Sequence, residues 1–330
     1  MKQVAERAGV STTTVSHVLN NTRVVSEDVQ ERVRAAMKDL RYIPSAVARS
    51  LKGDKTHTIG MMIPNNTNPY FAELIQGIED ASFKQGYNVI LCNAYDDTRK
   101  QTAYLQVLME KRIDGLILVA SGADAELSAR LQHLPIPTVL VDREVPGVEA
   151  DFVEADHEEG GYLATRYLIE LGHRDIACVS GPIDLPPSRA RVEGYLRALK
   201  EAGLRFRLDY LVRSDFTSEG GYQGFSQLLA LPKPPTAIFA SNDLMAIGGI
   251  CAASARGVRV PDQLSVLGYD DIALASFTTP PLTTVAQPKY EMGELTARLL
   301  LERVGGQNDS LRRELLHTRL VVRQSTSPLK

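Results

Sequence analysis

Two different spacings of hydrophobic residues divide the chain near residue 57. Before that point, apolar residues recur every three or four positions in short runs, as in helices that bury one face. Beyond it, short unbroken runs of Val, Ile and Leu alternate with longer runs of helical period. Unbroken apolar strands separated by helices are typical of parallel sheets that are covered by helices on both faces. The pattern therefore predicts a small helical head followed by a large α/β body.

The head contains three predicted helices. Residues 4–8 form the first, which ends at Gly9, and residues 12–20 form the second, with Ser11 placed to cap its N-terminus. The third covers about 26–40 and is capped by its first residue, a serine. A helix, a tight turn and a second helix, packed against a third, form a helix-turn-helix, whose second helix enters the major groove of DNA.

The second helix presents small polar residues where a DNA-reading surface would lie. Successive threonines lower helix propensity, so we interpret them as selected for contact with DNA rather than for folding. Their hydroxyls can bond to base edges or phosphates, and their methyls can contact thymine. A surface helix that is merely rich in small polar residues is the alternative. The outward side chains predicted to contact DNA are Thr12, Thr13, Ser16 and His17.

Charge is distributed unevenly between the two parts of the chain. Residues 1–60 carry ten Lys and Arg against six Asp and Glu, a formal charge of +4, although the whole chain carries −3. The remainder therefore carries −7. A basic head on an acidic body fits a polyanionic partner for the head alone.

A short helical segment links the head to the body. Residues 45–52 make about two helical turns, too few for a helix that is stable by itself in water, so we expect folding only when DNA holds them. Leu51 has no evident local core, and an apolar wedge between base steps of the minor groove would explain it. Packing of Leu51 on the body is the alternative.

Polar and aromatic residues follow the predicted strands of the body. The strands span 57–64, 88–94, 115–120, 138–143, 176–181, 210–216, 237–242, 264–271 and 283–287, a number that indicates two sheets rather than one. The helices between them include 69–85, 100–111, 160–171, 189–202, 220–231 and 246–256. Because ligands bind beyond the carboxyl ends of parallel strands, the polar and aromatic residues there predict a binding site. They are Asn68, Tyr70, Phe71, Asp142, Arg143, Arg189, Arg191, Asp215, Phe216, Asn242, Asp243, Asp270, Asp271 and Gln287.

The chemistry of these residues is that of a sugar site. Carboxylates, Arg and amides make directed hydrogen bonds to hydroxyls, and aromatic rings cover the apolar C–H faces of a sugar. Any one of these residues could instead be structural. In particular, we interpret Asp243 and Asp271 as caps of the segments that follow them.

Several segments resemble the LacI/GalR family of transcription regulators. VAERAGVSTTTVSHVLN followed by YIPSAVARSLK is similar to the head and hinge of that family, and the resemblance covers essentially the whole chain. In the body, NPYF, VDR, SRARVEGY, SDF, SNDLMAIG, LGYDD and AQP match the segments that bind sugar in the family's sugar repressors. One departure is that the family usually has a few more residues before the first helix.

The resemblance assigns roles to individual positions. It implies DNA contacts by Ser11, Thr12, Thr13, Thr14, Ser16, His17, Asn20, Ser45, Ala48, Arg49, Leu51 and Lys52. It implies effector contacts by Asn68, Tyr70, Phe71, Asp142, Arg143, Arg191, Phe216, Asn242, Asp270 and Gln287. The implied effector is D-ribose or a phosphorylated derivative, whose binding releases the operator of a ribose uptake or catabolism operon.

Two alternatives concern the ligand. Purine-responsive members of the family read their base with an Arg and a Thr after a Gly-Pro turn, whereas Gly181-Pro182 is followed here by Ile-Asp-Leu-Pro-Pro. This departure argues against a purine, and a purine corepressor is kept as the second hypothesis. Arg143, Arg189 and Arg191 could serve a phosphate, so free ribose and ribose 5-phosphate both stay open.

Other classes of protein are less well supported. No Gly-rich dinucleotide loop, P-loop or Gly-x-Ser-x-Gly elbow is present, and the acid/base pair of a sugar-processing enzyme, Asp142 with Asp270, is a remote alternative. A sugar carrier would be periplasmic, but the start of the chain lacks the apolar core of a signal peptide, so we expect a cytoplasmic protein. The three cysteines form no CxxC pair, and no run of 18 apolar residues occurs. We therefore predict no metal, no cofactor and no membrane contact.

We predict an all-α helix-turn-helix head joined to an α/β body of two lobes, each built on a doubly wound parallel sheet, as in periplasmic binding proteins. Two-fold symmetry would let a homodimer read near-palindromic double-stranded operator DNA. The predicted divisions are head 1–44, hinge and linker 45–56, first lobe 57–156 with 289–316, and second lobe 157–288 with 317–330.

Overall fold

The computed structural model describes residues 1–20, 23–42, 55–95, 97–119, 125–307 and 310–329. These residues fall into two units, 1–56 and 57–330. None of the helices in these ranges has the length and apolar character needed to cross a membrane. The predicted DNA contacts of the hinge lie outside the described residues; they are Ser45, Ala48, Arg49, Leu51 and Lys52.

The described part of the head consists of three helices around a small apolar core. They are α1 (Lys2–Ala8), α2 (Thr12–Asn20) and α3 (Glu27–Asp39). Gly9 ends α1 in the left-handed region, at φ 64°, where residues with a Cβ are disfavoured. Ser11 caps α2 as predicted, because its Oγ accepts the backbone N–H of Thr14 at 3.0 Å. The core residues are Val4, Ala5, Ala8, Val15, Val33 and Ala36.

The start of α3 differs from its prediction. Ser26 stands at the N-cap position, but its side chain makes no capping hydrogen bond to a described residue. Gln30 instead donates from Nε2 to the carbonyl oxygen of Val25 at 2.9 Å, which joins the first turn to the preceding chain. Ser26 therefore stands at the predicted cap position without capping the helix through its side chain, and Gln30 holds the first turn to the preceding chain instead.

Two six-stranded sheets form the described body. The first has the order β11-β5-β4-β3-β1-β2 and is parallel throughout; we call the part built on it lobe 1. Its strands are β1 (Thr58–Ile63), β2 (Asn88–Asn93), β3 (Gly115–Leu118), β4 (Thr138–Val141), β5 (Asp151–Ala155) and β11 (Arg313–Leu316). The predicted pair of parallel sheets is thus present.

The second sheet has the order β12-β10-β9-β8-β6-β7, and we call the part built on it lobe 2. Among its described pairs, only β10 and β12 run antiparallel. Its strands are β6 (Ile176–Ser180), β7 (Leu211–Arg213), β8 (Ala237–Ala240), β9 (Ser265–Asp270), β10 (Thr283–Ala286) and β12 (Arg319–Val321).

Helices cover both sheets. Lobe 1 carries α4 (Tyr70–Lys84), α5 (Thr98–Glu110), α6 (Ala125–Gln132) and α11 (Lys289–Val304). Lobe 2 carries α7 (His157–Glu170), α8 (Pro186–Glu201), α9 (Ser218–Leu229) and α10 (Asp243–Ala255), with 3₁₀ turns at Leu208–Tyr210 and Ala273–Phe277. The α4–α11 contact is so close that a Cβ on Gly77 would lie 2.2 Å from the carbonyl oxygen of Tyr290.

The sequence pattern placed most helix starts too late and missed several elements. Observed helices begin two or three residues before the predicted starts at 160, 189, 220 and 246. Two of these helices have polar first turns that follow the capping residues Asp156 and Thr217, which an apolar period does not register. Strands β5, β11 and β12 and helix α6 were not predicted, because they are short and interrupted by charged residues.

The described chain crosses between the lobes three times. It leaves lobe 1 after β5 at residue 156, returns after β10 at 287–288, and crosses again between β11 and β12 at 317–318. His157 is the first residue of α7 and Lys289 is the first residue of α11, so each basic residue directly follows a crossing. Both side chains are buried, at 5% and 3% exposure.

Candidate functional site

A cavity of about 380 Å³ lies between the carboxyl ends of the two sheets. Part of its wall is apolar and is formed by Val119, Pro182, Leu185 and Leu244. Gln287 lies behind the wall and donates from Nε2 to Asp270 Oδ1 at 2.7 Å. Nine of the ten residues predicted to contact an effector line the cavity: Asn68, Tyr70, Phe71, Asp142, Arg143, Arg191, Phe216, Asn242 and Asp270.

The lobe 1 wall is centred on Asp142, the residue after β4. Its backbone adopts φ 56°, a left-handed conformation that is uncommon for a residue with a Cβ and that recurs at ligand sites. The hydroxyl of Tyr70 donates to Asp142 Oδ2 at 2.6 Å, and the N–H of Ala155 donates to Oδ1 at 3.2 Å. Asn68 accepts the N–H of Tyr70 at 3.0 Å and so fixes the start of α4.

The protonation of Asp142 follows from these donors. Burial by itself raises the pKa of the Asp142 carboxyl, but the imidazole of His157 and the hydroxyl of Tyr70 attract its ionised form and lower the pKa to about 2. Burial and the nearby carboxylate raise the pKa of Tyr70 well above its usual value. Asp142 is therefore a fixed anion that is held by donors on both oxygens.

The lobe 2 wall is centred on Asp270, the last residue of β9, at φ 110°. Arg191 Nη1 lies 3.7 Å from Asp270 Oδ1 and donates to the carbonyl oxygen of Ser241 at 2.6 Å. The guanidinium also lies 3.9 Å from the ring centroid of Tyr269. Burial raises the pKa of Asp270, although Arg191 and Lys289 attract its anion. The two walls thus hold buried carboxylates in different electrostatic states.

Sequence reasoning missed His157, which joins the two walls. Its Nε2 lies 3.0 Å from Asp142 Oδ1 of lobe 1, and its Nδ1 lies 3.4 Å from Nε and 3.3 Å from Nη2 of Arg191 in lobe 2. Because a carboxylate has only acceptors, Nε2 must carry the proton that it donates to Asp142, while Nδ1 faces the guanidinium of Arg191. Recognition of β5 as a strand would have placed His157 near a strand end and made it a candidate.

Lys289 was also missed. Its ammonium is buried against the carbonyl oxygens of Asp270 and Asp271, at 2.6 and 2.7 Å. A lysine beyond a proline reads in the sequence as a solvent-facing residue. Only the fold brings the end of β9 to the second crossing, and no local pattern could have indicated that contact.

Neither aspartate interpreted as a helix cap acts as one. Asn242 caps α10, with Oδ1 accepting the N–H of Met245 at 2.9 Å, and its Nδ2 donates to the carbonyl oxygen of Phe216. Asp243 instead accepts from the N–H of Ile272 and from Thr284 Oγ1, and burial raises its pKa well above the usual value. Asp271 pairs with Arg323 at 2.6 Å. Both carboxylates hold together loops at the strand ends.

The head places most of its predicted DNA contacts on one end of α2. Ser11, Thr12 and Thr13 are exposed, Thr14 and His17 are partly buried, and Asn20 is the last residue of α2. Ser16, however, is only 8% exposed. The prediction that Ser16 points outward is wrong, because it follows the core residue Val15 and falls on the packed side of the short helix.

Comparisons with known proteins divide the chain into a head and a body. Residues 1–45 match the bacterial regulatory proteins of the lacI family, and residues 165–326 match the periplasmic binding protein-like domain. The ribose operon repressor of Escherichia coli (strain K12) is 47% identical over 305 residues, which cover 92% of each chain. The HTH-type transcriptional repressor PurR of Erwinia tasmaniensis is 46% identical over 329 residues, covering 99% of this chain and 96% of that one.

Solved structures show the same architecture. The lac repressor dimer bound to operator and the anti-inducer ONPF superposes with a TM-score of 0.88 at 30% identity, over 98% of both chains. A LacI family transcriptional regulator from Enterococcus faecium with bound ribose superposes with a TM-score of 0.75 at 35% identity, covering 83% of this chain and 100% of that one. The predicted fold class is confirmed.

Proposed function

Because this chain belongs to the LacI family of bacterial transcription regulators, we propose that it represses a ribose uptake or catabolism operon and releases the operator when its cleft binds the sugar. As a member of that family it is a DNA-binding repressor that pairs as a homodimer and responds to an effector. We place it in the cytoplasm with the DNA that it regulates, and we propose no cofactor.

The observation that carries the choice of a sugar is the composition of the cleft. Asp142 and Asp270 are acceptors on opposite walls, and Arg191 is a donor between them. Tyr70 and Phe216 add flat surfaces for the C–H faces of a ring. The amides of Asn68 and Asn242 also line the cleft, although each already serves its own helix start. A small polyol uses such directed groups on every side.

DNA contact is proposed for the exposed start of α2 and for the residues near it. These are Ser11, Thr12, Thr13, Thr14, His17 and Asn20. Removal of residues 1–56 should abolish operator binding and leave effector binding intact. Operator affinity of the whole chain should fall steeply with salt, because bound cations are released from the DNA. Operator binding by residues 57–330 alone would contradict the assignment.

A purine corepressor is the second candidate, since the PurR relative is nearly as similar in sequence. Against it stand Pro182, Leu185 and Pro187, which line the cleft and offer no side-chain hydrogen bonds to ring nitrogens. The two hypotheses predict opposite responses: a sugar releases the operator in our proposal, whereas a purine corepressor would tighten its binding.

The test is a titration of the operator complex at fixed salt with D-ribose, ribose 5-phosphate, glucose, galactose and hypoxanthine. We expect release by D-ribose or its phosphate and much weaker effects of the hexoses, because an extra carbon leaves buried polar groups unpaired. By linkage, operator must lower ribose affinity by the same factor. Tightening by hypoxanthine without a response to ribose or its phosphate would overturn the proposal. Incubation with ribose and analysis of the products tests the remote enzymatic alternative.

A further inference from the structure

The ammonium group of Lys289 lies in the interior of the protein, within 3.4 Å of three oxygen acceptors. The side chain is 3% exposed, and its three N–H bonds have three acceptors within reach. Nζ lies 2.6 Å from the carbonyl oxygen of Asp270 and 2.7 Å from that of Asp271, both in lobe 2. It lies 3.4 Å from Oε1 of Glu73, on α4 of lobe 1. One buried cation therefore touches both lobes at the second crossing.

The backbone that Lys289 holds, at Asp270 and Asp271, turns sharply in an unfavourable conformation; we call this turn the corner. Asp270 has φ 110° and Asp271 has φ 53°, conformations that cost free energy for residues with a Cβ and persist only when the surroundings impose them. In an extended strand, successive carbonyls point to opposite sides. The left-handed corner turns two successive carbonyls toward the same ammonium. Removing that ammonium would leave both oxygens buried without a donor of this strength.

The same corner orients the side chain of Asp270, which is proposed to bind the effector. The carboxylate of Asp270 enters the cleft, while the carboxylate of Asp271 is held by Arg323 at 2.6 Å. Arg191 and Gln287 contact the Asp270 side chain, but both are contacts to the carboxylate rather than to the backbone. Lys289 contacts the backbone of the corner and is anchored at the start of a helix that packs on lobe 1.

We propose that Lys289 is a positioning residue. It makes the orientation of the Asp270 carboxylate depend on the arrangement of lobe 1 relative to lobe 2. A shift of α11 relative to β9 would draw the ammonium from the two carbonyls and relax the corner. Effector affinity and lobe arrangement would then be linked through this contact, in both directions. The inference rests on the proposed function, since it concerns the same cleft and takes D-ribose as its probe.

The test compares Lys289→Met in the full chain with Lys84→Met as a matched control. Lys84 also lies on lobe 1 and also pairs with a glutamate at 3.4 Å, but its side chain is 65% exposed. We expect Lys289→Met to weaken D-ribose binding at least tenfold and to reduce the factor by which saturating ribose weakens operator binding. Operator affinity without ribose should stay within threefold of the wild type, and Lys84→Met should leave all three values unchanged.

Hydrogen exchange of residues 268–274 gives a readout that needs no effector. The corner should exchange at least tenfold faster in Lys289→Met than in Lys84→Met, while β8, in the same sheet, stays protected. If Lys289→Met does not fold, Lys289→Gln, which keeps an uncharged amide donor group, takes its place with a smaller expected increase. Unchanged exchange together with unchanged ribose affinity overturns the inference. A wild type that ignores ribose contradicts the proposed function instead, and the exchange measurement still decides the role of Lys289.

Discussion

Each wall of the cleft presents a buried carboxylate from a residue with a positive φ, but the pKa values of the two carboxylates shift in opposite directions. Asp142 follows β4 of lobe 1 at φ 56°, and Asp270 ends β9 of lobe 2 at φ 110°. Both side chains are buried, at 7% and 3% exposure. Yet the pKa of Asp142 falls to about 2, whereas burial raises the pKa of Asp270 above its usual value.

The number and distance of hydrogen-bond donors explain the difference. The Asp142 carboxylate accepts hydrogen bonds from Tyr70, Ala155 and His157 at 2.6 to 3.2 Å, so its anion is satisfied before a ligand binds. Asp270 has one close donor, Gln287, and a guanidinium at 3.7 Å, among the described residues. Hydroxyl donors of an effector would therefore improve the surroundings of Asp270 more than those of Asp142. The backbone at positive φ orients each carboxylate toward the cleft. The donors around that carboxylate determine how much binding free energy a ligand can gain from it.

Arg191 should show the largest effect, because it is the cation of the lobe 2 wall. Arg191→Ala removes the donor to Ser241 and leaves Asp270 with less compensation, so we expect a loss of about 3–5 kcal/mol in the free energy of unfolding. Ribose binding should weaken by roughly a hundredfold or more. Urea denaturation and calorimetry measure the two effects. Arg197→Ala, on the same helix but only half-buried and paired with the half-buried Glu158 and Glu159, is the control and should cost about 1 kcal/mol.

Replacement of each carboxylate by its amide should separate the two walls. Asp142→Asn replaces an anion that the fold stabilises, so we expect a loss of about 2 kcal/mol in unfolding free energy. Asp270→Asn replaces an anion that burial disfavours, so the unfolding free energy should stay level or rise. Both changes should weaken ribose binding by about ten- to hundredfold. Equal losses of stability in the two variants would contradict the electrostatic difference between the walls.

The same contrast predicts opposite responses to acid. Asp142 has a depressed pKa, so its contribution of about 2 kcal/mol is present above the usual value of 3.8 and is lost as the pH falls through about 2. Asp270 has a raised pKa, so its anion is a penalty at neutral pH that protonation relieves as the pH falls. The stability gap between the wild type and Asp142→Asn should therefore close between pH 6 and pH 2, as followed by urea denaturation. A gap that does not change with pH would show that Asp142 is not the source.

Most residues of the cleft wall could be predicted from the sequence, because unbroken apolar runs indicate where buried strands end. That argument led to Asp142 and Asp270, with no knowledge of how the two sheets meet. It failed at β5, whose run is interrupted by Asp151 and Glu154. Asp151 is fully buried and paired with Arg303, a partner 152 residues away that no local pattern indicates.

The residues at the crossings could not be predicted for the same reason. Lys289 and His157 have partners in the opposite lobe, and their burial depends on contacts between parts of the chain that are distant in sequence. A lysine or histidine in a polar first turn of a helix is ordinarily a surface residue. Their roles became visible only when the fold placed the ends of β4 and β9 beside them.

The smallest effect is expected at Asn68, where one side chain has two roles to separate. Its Oδ1 accepts the N–H of Tyr70 at 3.0 Å, and its amide lines the lobe 1 wall. Asn68→Ala should cost about 1 kcal/mol of unfolding free energy through loss of that contact at the helix start. Asn68→Asp keeps an acceptor for the Tyr70 N–H and removes only the Nδ2 donor, so stability should change by less than about 0.5 kcal/mol. If Nδ2 donates to a ribose oxygen, Asn68→Asp should still weaken ribose binding by about fivefold, corresponding to one hydrogen bond of about 1 kcal/mol. Calorimetry with Asn68→Asp that gives wild-type affinity would assign Asn68 to the helix start alone and leave the effector contacts of that wall to its other polar residues, among them Tyr70, Asp142 and Arg143.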